Sequence, residues 1–381
     1  MPPLSTTLPP LIMGTATFNA QYNEDPFSLP TTQLVQQALE TGIRAFDTSP
    51  YYGPAEELLG QALASVRDKH PRRSYHLLTK VGRVGGASFD YSPSWVRKSV
   101  RRSLERLRTD YLDVVYCHDV EFVPEERVVE VVLELRRIRD ANRPAAENAS
   151  PLVRYIGISG YPVDVLVRLA QRVLRETGEP LDVVMSYANY TLQNTRLLSA
   201  GLSPLVDAGV DVVLNASPLG MGLLRRSGVP VGSMGDFHPA PAGLRDAVRK
   251  ASDWLLLRDV DEEERKIELV AIRFALQSWL RHGARAGAMT GSSSADRKRL
   301  GITVLGVSNM DELRETLRVW SSVVNNSLDS RQQQEDELAQ GIRFVLGSEW
   351  FDYTWPSPPV DFVNSLSPDH LALKESMADI S

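Results

Sequence analysis

Eight short apolar runs, separated by segments of helical periodicity, constrain this chain more than any other feature. PPLIMG near the start is followed by IRAFD (43–47), YHLLTK (75–80), LDVVYCH (112–118), VRYIGIS (153–159), LDVVMS (181–186), VDVVLN (210–215) and ITVLGVS (302–308). Helical spacing of apolar residues fills 31–41, 55–69, 93–107, 125–140, 163–176 and 263–280. Strands that are apolar on both faces and alternate with helices belong to a parallel sheet covered by helices. Eight such units predict a closed (β/α)8 barrel of the TIM type rather than an open sheet, with the whole chain, 1–381, as one unit. Asp47, Lys80, His118, Ser159 and Ser186 each fall at the C-terminal end of a predicted strand, on the face where barrel enzymes build their sites.

The composition suits that size of core: of 381 residues 43% are hydrophobic and 24% charged. A net charge of −6, without a Lys/Arg-rich block, argues against a nucleic-acid partner. No apolar run reaches the roughly 20 residues of a membrane helix, and the start lacks a signal-peptide pattern. The expectation is a cytoplasmic protein, monomeric or homodimeric, acting on a small molecule. The single cysteine, Cys117, reads as a small apolar strand residue.

Two stretches read as mobile surface inserts between a helix and the next strand, 141–151 and 281–301, being rich in Ala, Gly, Ser and charge. They belong at the barrel end opposite the site. Segment 217–243 follows a strand, so it is expected to arch over the mouth. Beyond residue 330 a polar helix leads into aromatic-rich GSEWFDYTWPSP (347–358), which either closes a pocket or pins the tail.

The stretch FDTSPYYG (46–53) raises the chemical question. A carboxylate at a strand end needs a cationic partner if it is buried, and Lys80 is the candidate. An ammonium about 4 Å from Tyr52, at an effective dielectric near 20, would favour the phenolate by about 4 kcal/mol, roughly three pKa units before desolvation opposes it. Tyr52 could then serve as general acid or base, with His118 orienting a substrate oxygen.

Asp47, Tyr52, Lys80 and His118 form the tetrad of the aldo-keto reductase family, which this chain resembles over nearly its whole length. FDTSPYYG, LLTKVG, YLDVVYCHD and YIGISG occur in the family's order. LPPLIMGTATFNAQYNEDP, NASPLGMGLL, VLGVSNMDELR and WPS look like a branch that oxidises sugars. The resemblance implies that Tyr52 is the acid/base, that Lys80 lowers its pKa, that Asp47 holds Lys80, and that His118 orients the reacting oxygen. It implies a nicotinamide cofactor, NAD, contacted by Gly14, Thr15, Asp47, Ser159, Ser186, Ala216, Ser217, Pro218, Leu219, Gly306, Val307, Ser308, Glu312 and Glu315. It further implies oxidation of an aldose at C1 to its lactone, D-arabinose to D-arabinono-1,4-lactone, on a route to D-erythroascorbate.

The chain departs from many members at Gly160 (asparagine there), Ser186 (glutamine) and Ala216 (a tyrosine that stacks on the nicotinamide). NADPH-using relatives neutralise the 2′-phosphate with a lysine and an arginine where Gly306 and Glu312 align, which is the basis for expecting NAD. Phe18, Tyr52, Trp95, His118, Phe122, Asn189 and His238 are the candidate substrate-pocket residues. Three alternatives are weighed. They are carbonyl reduction with NADPH, a dinucleotide-binding accessory subunit, and a metal hydrolase with His118, Asp119 and Asp47 as ligands; the expected metal content is none.

Overall fold

The computed structural model describes residues 1–141, 151–230, 232, 234–291, 298–325 and 332–376. Its strands are β1 (Leu11–Gly14), β2 (Ala45–Asp47), β3 (His76–Val81), β4 (Leu112–His118), β5 (Val153–Gly160), β6 (Val183–Tyr187), β7 (Val212–Ala216), β8 (Ala288–Thr290), β9 (Lys298–Leu300) and β10 (Ile302–Gly306). Eight of them close a parallel barrel in the order β1-β10-β7-β6-β5-β4-β3-β2. The seam pairs Leu11 with Thr303 and Gly14 with Gly306.

Parity along the strands decides what faces the barrel axis. Ala45 on β2, Leu78 on β3, and Val114 and Tyr116 on β4 belong to the interior cluster. Phe46, Leu77, Val115 and Cys117 pack outward against the helices. Counting on by two puts Asp47, Lys80 and His118 on the interior face at the C-terminal ends, where layers of apolar side chains give way to polar ones. Leu4 and Leu8, from the first turn of the chain, plug the opposite end. Cys117 is fully buried, and burial pushes its thiol well above the ordinary range, so it is a packing residue.

The insert expected at 281–301 is ordered over its described part, which corrects the mobile-loop expectation. Gly283–Ala286 forms a 3-10 turn, and β8 and β9 pair antiparallel. Ala288 is buried in the interior cluster at the plugged end, and Arg299 donates to both the backbone oxygen and the carboxylate of Asp211. The insert does lie away from the mouth, because it follows a helix. Residues 142–150, most of the other insert, lie outside the described residues.

The helix Gln332–Trp350 packs Leu338, Ala339, Ile342 and Leu346 against the helix Ala242–Leu256. The approach is close: a Cβ on Gly341 would stand 2.1 Å from the ring of Trp254. From there the chain crosses the mouth, and the helix Pro368–Ser376 docks on Asp90, which takes hydrogen bonds from Lys374 Nζ at 2.7 Å and His370 Nε2 at 3.0 Å. Asn364 exchanges two hydrogen bonds with the backbone of Phe89. No described helix is long and apolar enough to cross a membrane.

Candidate active site

A cavity of about 560 Å³ opens at the C-terminal mouth, within the range of small-ligand sites. It is bordered by the tetrad, by the segment after β7 and by the C-terminal crossing. Another cavity, of about 460 Å³, lies on the outer helices among Asp261, Glu263, Arg273 and Glu335, remote from these groups.

Lys80 Nζ donates to Asp47 Oδ1 at 2.6 Å and to the Thr48 carbonyl at 2.8 Å, and both side chains are buried. Burial pushes the Asp47 carboxyl above its ordinary value, against the pull of Lys80. The Lys80 ammonium sits 4.8 Å from the centre of the Tyr52 ring. Tyr52 is not on a strand. It sits on the turn after β2, where its N–H donates to the Ser49 carbonyl and Gly53 takes a φ of 56°. The His118 ring meets the Tyr52 ring edge-on, at 5.7 Å and 89°.

The electrostatics of Tyr52 correct the sequence expectation. In the ligand-free protein its pKa is raised well above 10, first by burial and then by the charges of Asp47 and Asp119, with Arg83 opposing. Lys80 does not prevail because Asp47, 2.6 Å from it, offsets its charge, and burial of the phenol acts in the same direction as Asp47.

His118 holds its Nδ1 3.1 Å from Ser49 Oγ and its Nε2 3.5 Å from Asp119 Oδ2. Burial drives its pKa down to about 3, with Asp119 pulling the other way, so it is neutral at pH 7. Asp119, in a left-handed conformation (φ 52°), forms a charge-assisted hydrogen bond with Arg83. Burial works to raise the Asp119 carboxyl, but opposite charge outweighs it, from His118 once that ring is protonated in acid and from Arg83 throughout, and holds it below the ordinary range. The Arg83 guanidinium lies 3.9 Å over the Tyr51 ring. Arg83, Asp119 and Tyr51 all border the cavity beside His118.

Gly14, Ser159, Ala216, Ser217, Pro218, Leu219 and Gly306 border the cavity, as does Phe122. Thr15, Ser186 and Val307 do not. The Thr15 hydroxyl donates to the Asp47 carbonyl, Ser186 Oγ accepts from Asn189, and Val307 packs in the outer core. Ser308 and Glu312 stand at the rim, the Ser308 N–H donating to Glu312 Oε2 at 2.8 Å. Glu312 Oε1 is 3.4 Å from Arg225, which borders the cavity, whereas Glu315 pairs with Lys266 outside it.

Four expected pocket residues are placed elsewhere. Phe18 turns into the outer core with no exposure. Trp95 packs on the His370 ring at 4.3 Å. Asn189 donates to the carbonyls of Tyr161 and Tyr187 and so braces the loop after β6. His238 donates from Nε2 to the Gly220 carbonyl at 2.8 Å and accepts from Ala240 N–H, so it pins the segment from inside while Phe237 and Pro239 border the cavity.

The sequence reading missed Arg83, Tyr22 and Arg225, and weighed Asp119 only as a metal ligand. It also missed Glu121, which accepts from Tyr161 N–H and from Ser357 Oγ and so ties the crossing segment to the barrel. Burial first, and Asp119 next, push its carboxyl up to about 8. A Cβ on Gly160 would stand 2.4 Å from Glu121 Oε2, so a larger residue there requires that carboxylate oxygen to move aside.

These donors fit a nicotinamide dinucleotide. The cavity runs from the tetrad and Ser159 to Arg225, whose charge suits the phosphates, and Gly14 and Gly306 leave the wall bare of Cβ atoms.

The comparisons agree. The model of the aldo/keto reductase family matches residues 10–331. The chain is 36% identical to D-arabinose 1-dehydrogenase of Saccharomyces cerevisiae over 350 residues, covering 91% of this chain and 93% of that one. It is 30% identical to L-galactose dehydrogenase of Arabidopsis thaliana over 327 residues, covering 85% and 86%. An aldo-keto reductase from Bacillus halodurans in its holo form superposes with a TM-score of 0.57 at 21% identity, covering 90% of this chain and 95% of that one, a likeness of fold. The chain belongs to the aldo-keto reductase family. It is therefore an oxidoreductase of the kind that binds a nicotinamide dinucleotide.

Proposed function

We propose that the protein oxidises an aldose at C1 to its lactone with NAD, D-arabinose giving D-arabinono-1,4-lactone. The observation that carries the sugar reading is the Arg83–Asp119 pair stacked on Tyr51 beside His118. A buried carboxylate and a guanidinium present acceptors and donors together, which suits a ring of hydroxyl groups and would leave an apolar carbonyl compound poorly matched. The names of the two relatives support the same class of substrate.

Tyr52, as phenolate, takes the C1 hydroxyl proton, because its ring is on the turn that faces the cavity. His118, kept neutral by burial, hydrogen-bonds the reacting oxygen. The Lys80–Asp47 pair fixes the floor beneath Tyr52. When bound, an oxidised nicotinamide supplies the hydride acceptor and a positive ring charge. Because the ligand-free phenol has a raised pKa, its base form is scarce at neutral pH. Oxidation should therefore accelerate from about neutrality to about pH 10.

The test is NADH formation with D-arabinose, beside Tyr52→Phe. Turnover in the wild type should fall by about 10²-fold or more in the variant. Retention of a tenth of the wild-type rate by Tyr52→Phe would remove Tyr52 from the role.

A further inference from the structure

We infer that Ser49 is a positioning residue that holds the proton of His118 on Nε2, the nitrogen offered to the reacting oxygen. Its part in turnover rests on the reading of this cavity as the site of sugar oxidation; the assignment of the proton does not.

Ser49 is fully buried on the turn that also carries Tyr52. Its Oγ accepts the Tyr51 N–H at 3.1 Å and lies 3.1 Å from His118 Nδ1. A serine hydroxyl has one proton and two lone pairs. With the Tyr51 N–H received, its proton has one acceptor among the described residues, Nδ1 of His118. The opposite arrangement, Nδ1–H donating to Oγ, would make the oxygen accept twice and leave a buried hydroxyl proton with no partner. A doubly protonated ring is excluded at pH 7 by the burial that lowers the His118 pKa to about 3.

The far side of the ring agrees. Nε2 stands 3.5 Å from Asp119 Oδ2, beyond the usual length of an N–H···O bond, and that oxygen already accepts from Arg83. The Nε2–H thus has no hydrogen-bond partner among the described residues and is left free for a ligand oxygen in the cavity that His118 borders. A ring with its proton on Nδ1 would instead turn a lone pair toward that oxygen and repel it. One turn, residues 49–52, therefore supplies both the acid/base and the group that sets its partner's tautomer.

Two-bond proton–nitrogen correlation spectra of the full chain with 15N-labelled histidine, at pH 7 and without ligands, read the proton directly. Six histidines are present, and loss of one pattern in His118→Asn assigns the signal. The wild type should show a protonated Nε2 and a bare Nδ1; a protonated Nδ1 overturns the inference without any Ser49 variant. Ser49→Ala should shift His118 toward a mixture of tautomers. Its kcat should drop by about tenfold or more while NAD dissociation stays unchanged, and Ser49→Thr should restore the Nε2–H pattern and turnover. A Ser49→Ala protein with the wild-type pattern and wild-type kcat overturns the inference. A wild type with Nε2–H that oxidises no sugar upholds the tautomer assignment and refutes only the substrate.

Discussion

On the proposed use of NAD, replacing Glu312 with alanine should move the cofactor preference toward NADP. Glu312 lies in the first turn of the helix Met310–Asn325, with one carboxylate oxygen on the Ser308 N–H and the other 3.4 Å from Arg225. A backbone N–H and a guanidinium make an anion site, and the protein's own carboxylate fills it. The substitution frees both donors and removes a negative charge that would repel a 2′-phosphate. Charge-assisted hydrogen bonds contribute about 1.5–3 kcal/mol each, so two give an upper range of about 3–6 kcal/mol. Arg225 and Glu312 are 36% and 28% exposed at their side chains, and solvent screening argues for the lower end. The expected change is about 100-fold in the ratio of kcat/KM with NADP to kcat/KM with NAD. Lost interaction with the helix dipole should cost only about 0.3–1 kcal/mol of stability, so the variant remains measurable. A ratio that moves less than about threefold, or a wild type that already prefers NADP, would refute the reasoning.

Arg83→Met should destabilise the protein by about 3–5 kcal/mol in urea unfolding, because Asp119 is left as a buried charge without its partner. Adding Asp119→Leu should recover much of that loss but not sugar turnover, and a fully active double variant would refute the sugar-recognition role. Stability should also report His118, whose pKa falls from 6.5 unfolded to about 3 folded. The contribution is present above pH 6.5 and is lost as pH falls toward 3, since the unfolded chain binds the proton first. Between pH 7 and pH 4.5 the wild type should lose about 2–3 kcal/mol more than His118→Asn, and parallel curves would contradict the buried neutral ring. Trp355, stacked at 4.6 Å on Tyr161 and bordering the cavity, should on truncation to alanine cost about 3–5 kcal/mol and raise the sugar KM; an unchanged KM would take it out of the pocket wall.

The barrel was legible in the sequence because strand parity and helix period repeat. LDVVYCH is β4 residue for residue, and the predicted helix 93–107 ends one residue past Arg106. The strand-borne tetrad members followed for the same reason: a residue at a strand end can point to only two faces. Loop residues have no such rule. Phe18 and Trp95 were expected in the pocket from their place after a strand, yet Phe18 is buried in the outer core and Trp95 packs on His370 from far along the chain. Arg83 carried a weak signal, a charged residue three positions past Lys80, and Trp355 carried one only as part of the aromatic stretch 347–358, since its partner Tyr161 is 194 positions away. The pKa of Tyr52 was misjudged because the charge of Lys80 was counted on the phenol without that of its partner Asp47, and the depth of burial is not written in a sequence.

The crossing of the mouth by 351–362 has a consequence for biosynthesis. All eight barrel strands, the last ending at Gly306, leave the ribosome before Trp355, Pro356 and Ser357 are made. The nascent barrel can close its seam and set the tetrad while one wall of its cavity is still missing. Completion of that wall must wait for these later residues, and it is fastened by Ser357 on Glu121 and His370 on Asp90. A chain that stopped short of Trp355 would lack one wall of its cavity.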